Sequence, residues 1–289
     1  MAIKILITGA NGQLGREMRL LLEGDDRFEA TYTDVEELDI TDAATVNAFV
    51  DELQPAYIVN CAAYTAVDRA EDDESTASLL NTEAVAILAR AALSCDARMV
   101  HVSTDYVFDG NACRPYRETD ATRPTSVYGR TKLGGELALL TTLPQQAVVL
   151  RTAWLYSPHG KNFVKTMLSL GRERDQLRVV YDQVGNPTSA ADLAHAIIAV
   201  LTAPQWHPGI YHFANEGAVS WYDFTKAIHR LAGITSCDVQ PCLSDEYPTR
   251  ATRPHYSVLD KAKFKTTFKI AIPHWEESLA ECLKRINNQ

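Results

Sequence analysis

The 289-residue chain is poor in the features that mark several protein classes. No apolar run approaches the roughly 18–20 residues that cross a bilayer, so no membrane association is expected. The opening Met1-Ala2-Ile3-Lys4-Ile5-Leu6-Ile7 lacks the basic, apolar and small-residue order of a secretion signal. Six cysteines (Cys61, Cys95, Cys113, Cys237, Cys242, Cys282) form no Cys-x-x-Cys and no paired framework. Cys61 and Cys95 sit among apolar residues and read as small buried hydrophobes. A reduced, cytoplasmic protein is expected. Positive charge is also short, with 28 Lys and Arg against 37 Asp and Glu and a formal net charge of −9. A general nucleic-acid partner is therefore not expected, since it requires a basic face that displaces counterions. The eight histidines show no metal-ligand spacing such as His-Glu-x-x-His, and there is no internal repeat. What is there is ordinary globular composition, 46% hydrophobic and 22% charged, ample for a core without disulfides or metals.

Up to about Thr152, strand-like and helix-like segments alternate. Ile3–Ile7, Phe28–Thr33, Tyr57–Cys61, Met99–Ser103 and Val148–Leu150 read as strands. Between them lie helical patterns from Leu14, from a cap at Thr41-Asp42, over an alanine-rich stretch Ser75–Cys95, and over Val127–Leu140. Such alternation implies an α/β fold, a doubly wound parallel sheet with helices on both faces. Beyond Thr152 the pattern is ragged: helices are expected at Asn162–Arg172, Ala190–Leu201, Trp221–Leu231 and His274–Ile286, and strands at Leu177–Val180 and Ile210–Phe213. The acidic run Glu71–Glu74 reads as a solvated approach to a helix.

Gly9, Gly12 and Gly15 follow the first strand and open the first helix. Glycine there allows a tight turn, close approach of backbone to a pyrophosphate, and close packing of helix on strand. The helix N-terminus adds unpaired N–H groups and a positive dipole end. Asp34 lies nineteen residues beyond Gly15 at the end of the second strand, where a carboxylate accepts ribose hydroxyls and disfavours a 2′-phosphate. A dinucleotide site is expected, with Asn11, Gln13 and Leu14 in the turn, Asp39-Ile40 flanking adenine, and Ala62-Ala63-Tyr64 and Val102 along the cofactor.

Tyr128 and Lys132 stand four residues apart at the start of a helix, and so on one face. A nearby ammonium favours phenolate and is expected to lower the Tyr128 pKa, readying it to exchange a proton with a carbinol or carbonyl oxygen. Lys132 also reaches toward a nicotinamide ribose, and Thr104, ending the fourth strand, can donate to the same substrate oxygen.

Gly9-x-x-Gly12-x-x-Gly15, Ser103-Thr104-Asp105-Tyr106-Val107-Phe108-Asp109-Gly110 and Tyr128-x-x-x-Lys132 together resemble the extended short-chain dehydrogenase/reductases. Asn60–Asp68, Arg151–Tyr156, Asn162–Met167 and Asp182–Thr188 narrow the resemblance to the dTDP-4-dehydrorhamnose reductases, over nearly the whole chain. The resemblance implies a Rossmann-type domain over 1–152 carrying the Tyr/Lys helix. It implies a smaller, mainly substrate-binding region over 153–289, with some segments returning to the core. The implied activity is NADPH- or NADH-dependent reduction of the C4 ketone of dTDP-4-dehydro-β-L-rhamnose. Tyr128 would then be the proton donor, with Lys132 and Thr104 as the other catalytic residues. Thr104, Asp105 and Trp154 would lie near the sugar, and Lys165 and Arg253 would meet the diphosphate. Some relatives hold Mg²⁺ at a dimer interface through glutamates; Glu17 matches one such position, but Ala191 stands where a second would be, so no metal is expected. A homodimer is compatible with this reading. Two alternatives stay open: another nucleotide-sugar reductase or epimerase, and a non-catalytic subunit like the regulatory subunit of methionine adenosyltransferase.

Overall fold

Ile5, Leu6 and Ile7 are all fully buried, the mark of a strand covered by helices on both faces. In the computed structural model, which describes residues 2–288, β1 (Ile3–Thr8), α1 (Gln13–Leu22), β2 (Phe28–Thr33), α2 (Ala43–Leu53) and β3 (Tyr57–Asn60) open the chain. Two short helices, α3 (Val67–Ala70) and α4 (Glu74–Ser78), precede α5 (Ala84–Ser94), β4 (Arg98–Thr104), α6 (Val127–Thr142) and β5 (Ala147–Thr152). Then come β6 (Leu155–Tyr156), α7 (Phe163–Glu173), β7 (Gln176–Val180), β8 (Val184–Gly185), β9 (Thr188–Ser189) and α8 (Ala190–Leu201). Last are β10 (Gly209–His212), β11 (Val219–Ser220), α9 (Trp221–Leu231), β12 (Asp238–Cys242), α10 (Ala262–Phe268) and α11 (Trp275–Asn287).

The main sheet has the order β2-β1-β3-β4-β5-β10 and is parallel throughout, as the alternation predicts. Its winding reverses at β1, between β2 and β3, which places a ligand crevice beyond the carboxyl ends of those strands. Leu14 and Met18 of α1 and Leu193 and Ile197 of α8 cover Ile5, Ile7, Val59 and Val100 on one face. Val46 and Val50 of α2 and Leu88 of α5 cover Leu6, Ile58, Met99 and Val149 on the other. A third cluster joins α7, α9 and α11 to β7 and β12 through Val164, Leu168, Phe224, Ile228, Leu279, Leu177 and Val239.

Three features depart from the sequence reading. The alanine-rich segment is not one α-helix, because a π-helical turn at Leu79–Glu83 separates α4 from α5. That wider turn carries the fully buried Asn81, whose side chain accepts the Tyr64 N–H at 2.9 Å and donates to the Tyr64 carbonyl at 3.1 Å and the Thr131 hydroxyl at 3.1 Å. Second, Glu71 of the acidic run is more than solvated charge: its Oε1 accepts the Val127 N–H at 2.8 Å and secures the start of α6. Third, β12 pairs with β7 although it contains Pro241, a residue tolerated where no further strand needs its N–H.

Toward the carboxyl ends of the strands, the face under α6 turns from apolar to polar. Arg151 of β5, 2% exposed, grips Glu136 of α6, 1% exposed, through Nε to Oε1 at 2.9 Å and Nη2 to Oε2 at 2.6 Å. The Ser103 hydroxyl donates to the same carboxylate. Arg151→Met would strand a buried carboxylate and is expected to lower stability by about 3–5 kcal/mol. Adding Glu136→Leu should restore most of that loss, both read from urea unfolding midpoints.

Candidate active site

Gly9 has φ +66°, and a Cβ there would lie 2.6 Å from the Ala62 nitrogen. A Cβ on Gly15 would run into the Gly9 carbonyl and lie 2.5 Å from the Ala10 Cα. The turn between β1 and α1 therefore presses backbone against backbone, leaving no room for side chains. α1 begins at Gly12 with no side-chain cap, whereas α2, α6, α7 and α9 are capped by Asp42, Ser126, Asn162 and Ser220. Its first-turn N–H groups, including that of Leu14, whose side chain is in the core, are donors suited to an anionic diphosphate. Beside them Asp34 accepts the Asn11 N–H through Oδ2 and the Val35 N–H through Oδ1, each at 2.9 Å, and each oxygen keeps a further lone pair. These features fit a dinucleotide.

Of the expected adenine pair, Asp39 is exposed and accepts the Thr41 N–H and hydroxyl. Ile40 is 6% exposed and packs into the core. Ala62, Ala63 and Tyr64 follow β3 as half-buried residues. Gln13 reaches the second half of the chain, where its Oε1 accepts from the Ser157 hydroxyl at 3.2 Å and Asn162 Nδ2 at 2.8 Å. The partners of Asn81 and Ser157 were not legible in the sequence. Only an Asn amid apolar residues of a helix hinted at those of the first. Cys61 and Cys95, expected to be buried, are half-buried and free.

At the carboxyl end of β4, Tyr128 lies half-buried with its ring edge-on to Tyr106 at 5.5 Å. Burial pushes its phenol up to about 12; the nearby Thr104 hydroxyl opposes this and the charge of Asp105 adds to it. The expectation that Lys132 lowers the Tyr128 pKa is thus overturned. Lys132 is 2% exposed and turns its Nζ to the Val102 carbonyl at 2.6 Å and to His101 Nε2 at 3.4 Å. Burial brings Lys132 itself down to about 8, with Glu136 opposing. The arrangement holds a proton on the phenol.

Asp105, 2% exposed, accepts the Thr104 hydroxyl at 3.0 Å on Oδ1, while its buried Oδ2 has no partner. Trp154 has φ +49° and stacks on Trp221 at 3.4 Å, 8° from parallel. Trp221 was legible only as a helix residue. Lys165 donates to the Pro158 carbonyl at 3.2 Å, and Arg253 pairs with Asp68 at 2.7 Å. The two cations expected to share one diphosphate thus each hold a different protein partner. Glu17 pairs with Arg285 at 2.9 Å. Among the described residues no group of three His, Cys, Asp or Glu is placed to hold a metal, and no helix is long and apolar enough to cross a membrane.

The profile of the RmlD substrate binding domain family matches residues 3–288. The chain belongs to that family. A dTDP-4-dehydrorhamnose reductase of Aggregatibacter actinomycetemcomitans is 43% identical over 285 residues, spanning 96% of this chain and 97% of the relative. A dTDP-4-keto-6-deoxy-D-glucose reductase of Streptomyces niveus is 40% identical, spanning 99% of both. The crystal structure of the Bacillus anthracis dTDP-4-dehydrorhamnose reductase in complex with NADP is 36% identical and superposes with a TM-score of 0.94, over 99% of this chain and all of that one.

For this member of the RmlD substrate binding domain family, the buried Asp105 sets a pH-dependent cost. Burial raises its pKa from 3.8 to about 6, so the folded state holds that proton more tightly than the unfolded chain. Stability therefore falls as pH rises from about 4 to about 6, and the cost persists above. Asp105→Asn is expected to gain roughly 3 kcal/mol over the parent near neutral pH and nothing below about pH 4. Urea unfolding across that pH range checks it.

Proposed function

We propose that the protein reduces the C4 ketone of dTDP-4-dehydro-β-L-rhamnose to the alcohol of dTDP-β-L-rhamnose, using NADPH or NADH. The observation that carries this reading is the Tyr128 phenol set beside the Thr104 hydroxyl at the carboxyl end of β4, on the same edge of the sheet as the uncapped start of α1. The first-turn N–H groups of α1 hold the cofactor diphosphate, and Asp34 accepts its ribose hydroxyls. When bound, the reduced nicotinamide supplies a hydride. Tyr128 gives its proton to the developing C4 oxygen, and Thr104, turning its hydroxyl away from Asp105 Oδ1, aligns that oxygen by donating to it. Lys132, one turn along α6, meets the nicotinamide ribose. The stacked Trp154 and Trp221 offer a flat wall to the sugar, and Asp105 accepts from its hydroxyls. Lys165 meets the substrate diphosphate, and Arg253 exchanges Asp68 for it.

The Streptomyces niveus relative favours a second reading, in which the substrate is a different dTDP-linked 4-keto-6-deoxy sugar. Supplying each ketone with NADPH or NADH and following oxidation of the reduced nicotinamide separates the two. An epimerase would show no net oxidation, and a non-catalytic subunit would show none with either sugar. Tyr128→Phe keeps the ring and removes the proton. Its turnover should fall by about 10²–10⁴ while NAD(P)H binding by fluorescence titration stays near the parent value. A Phe variant retaining most of the rate would remove Tyr128 as the acid.

A further inference from the structure

One polar row on the face under α6 has no part in that chemistry. Thr8, Asn60 and His101 are neighbours in register on β1, β3 and β4, each no more than 1% exposed. The Thr8 hydroxyl donates to Asn60 Oδ1 at 2.7 Å, and the Ala62 N–H donates to the same oxygen at 3.0 Å. A backbone N–H needs an acceptor, so Ala62 fixes which end of the Asn60 amide is oxygen. Asn60 Nδ2 then donates to His101 Nδ1 at 3.1 Å. A neutral imidazole that accepts at Nδ1 carries its proton on Nε2. Burial, with the nearby Lys132, keeps this ring neutral.

That Nε2–H lies 3.4 Å from Lys132 Nζ. It can donate to the lone pair of an amine, but to an ammonium it presents a second donor. We propose that His101 is a positioning residue: through Asn60 and Thr8 it presents an N–H rather than a lone pair to Lys132, and so governs when Lys132 carries its proton. Among the described residues, the other charged or titratable groups on the Lys132 face of α6 are Tyr128, one turn back, and Glu136, one turn on, whose carboxylate is matched by Arg151 from β5. Glu136 favours the ammonium, and the His101 N–H disfavours it. Lys132 is left with a pKa of about 8.

The kinetic arm of the test rests on the reductase reading; the spectroscopic arm does not. ¹⁵N NMR of His101 in the cofactor-free protein should show Nδ1 unprotonated and Nε2 protonated. Asn60→Asp keeps an oxygen for Thr8 and Ala62 and sets a second oxygen against Nδ1. The ring proton should then move to Nδ1, leaving Nε2 as an acceptor for the ammonium. The Lys132 pKa, read from its ¹³Cε shift, should rise by about 1–3 units, and the basic limb of kcat/KM should move up with it. A protonated Nδ1 in the parent overturns the proposal. So does a Lys132 that rises in the variant with the His101 tautomer unchanged, which would be a simple charge effect. Absence of reductase turnover, with both NMR results as expected, would overturn the reductase reading and leave the role of His101 standing.

Discussion

The arrangement of the site depends on a buried ion pair. Arg151 and Glu136 join β5 to α6 where the sheet face has become polar, on the same helix that carries Tyr128 and Lys132. A buried pair of this kind adds little net stability over apolar residues of the same volume, because desolvation offsets most of the attraction. What it provides is register. Glu136 is one turn from Lys132 and two from Tyr128 on one continuous helix, so a slip of α6 that displaced either residue would also break the pair. Ser126 capping Gly129 and Glu71 holding the Val127 N–H fix the other end of the same turns.

Burial, more than pairing, sets the protonation of the site. Tyr128 is raised, Lys132 lowered and Asp105 raised, each chiefly through loss of water. All three shifts favour the neutral form. A phenol kept neutral suits an acid that must hold its proton until an oxygen develops charge. An amine near its midpoint can give or keep a proton at little cost, which makes the hydrogen-bond character of its neighbours decisive.

The two halves of the chain are tied by polar contacts at the rim of the crevice. Gln13 of the glycine turn binds Ser157 and Asn162, and Asp68 binds Arg253. Segments on both sides of the crevice are therefore coupled through side chains that exchange partners more readily than packed apolar groups do. The stacked Trp154 and Trp221 pack against the third apolar cluster.

Read from the sequence alone, the main strands and helices of the sheet emerge to within a few residues, because periodicity reports burial and burial on both faces reports a parallel sheet. The glycine turn was equally legible, since backbone crowding at Gly9 and Gly15 admits no other residue. Spacing and place single out Tyr128, Lys132 and Thr104 as a set, and the fold brings all three to the carboxyl end of β4. The effect of Lys132 on Tyr128 was not legible. Spacing puts two side chains on one face of a helix but does not say which strand carbonyl or ring the longer one meets. The same limit hid Asn81 in its π turn, the role of Glu71, the partner of Arg253 and the row from Thr8 to His101. Each depends on residues distant in sequence that become neighbours only through strand register or helix packing, and hydrogen-bond direction and desolvation are properties of those neighbours.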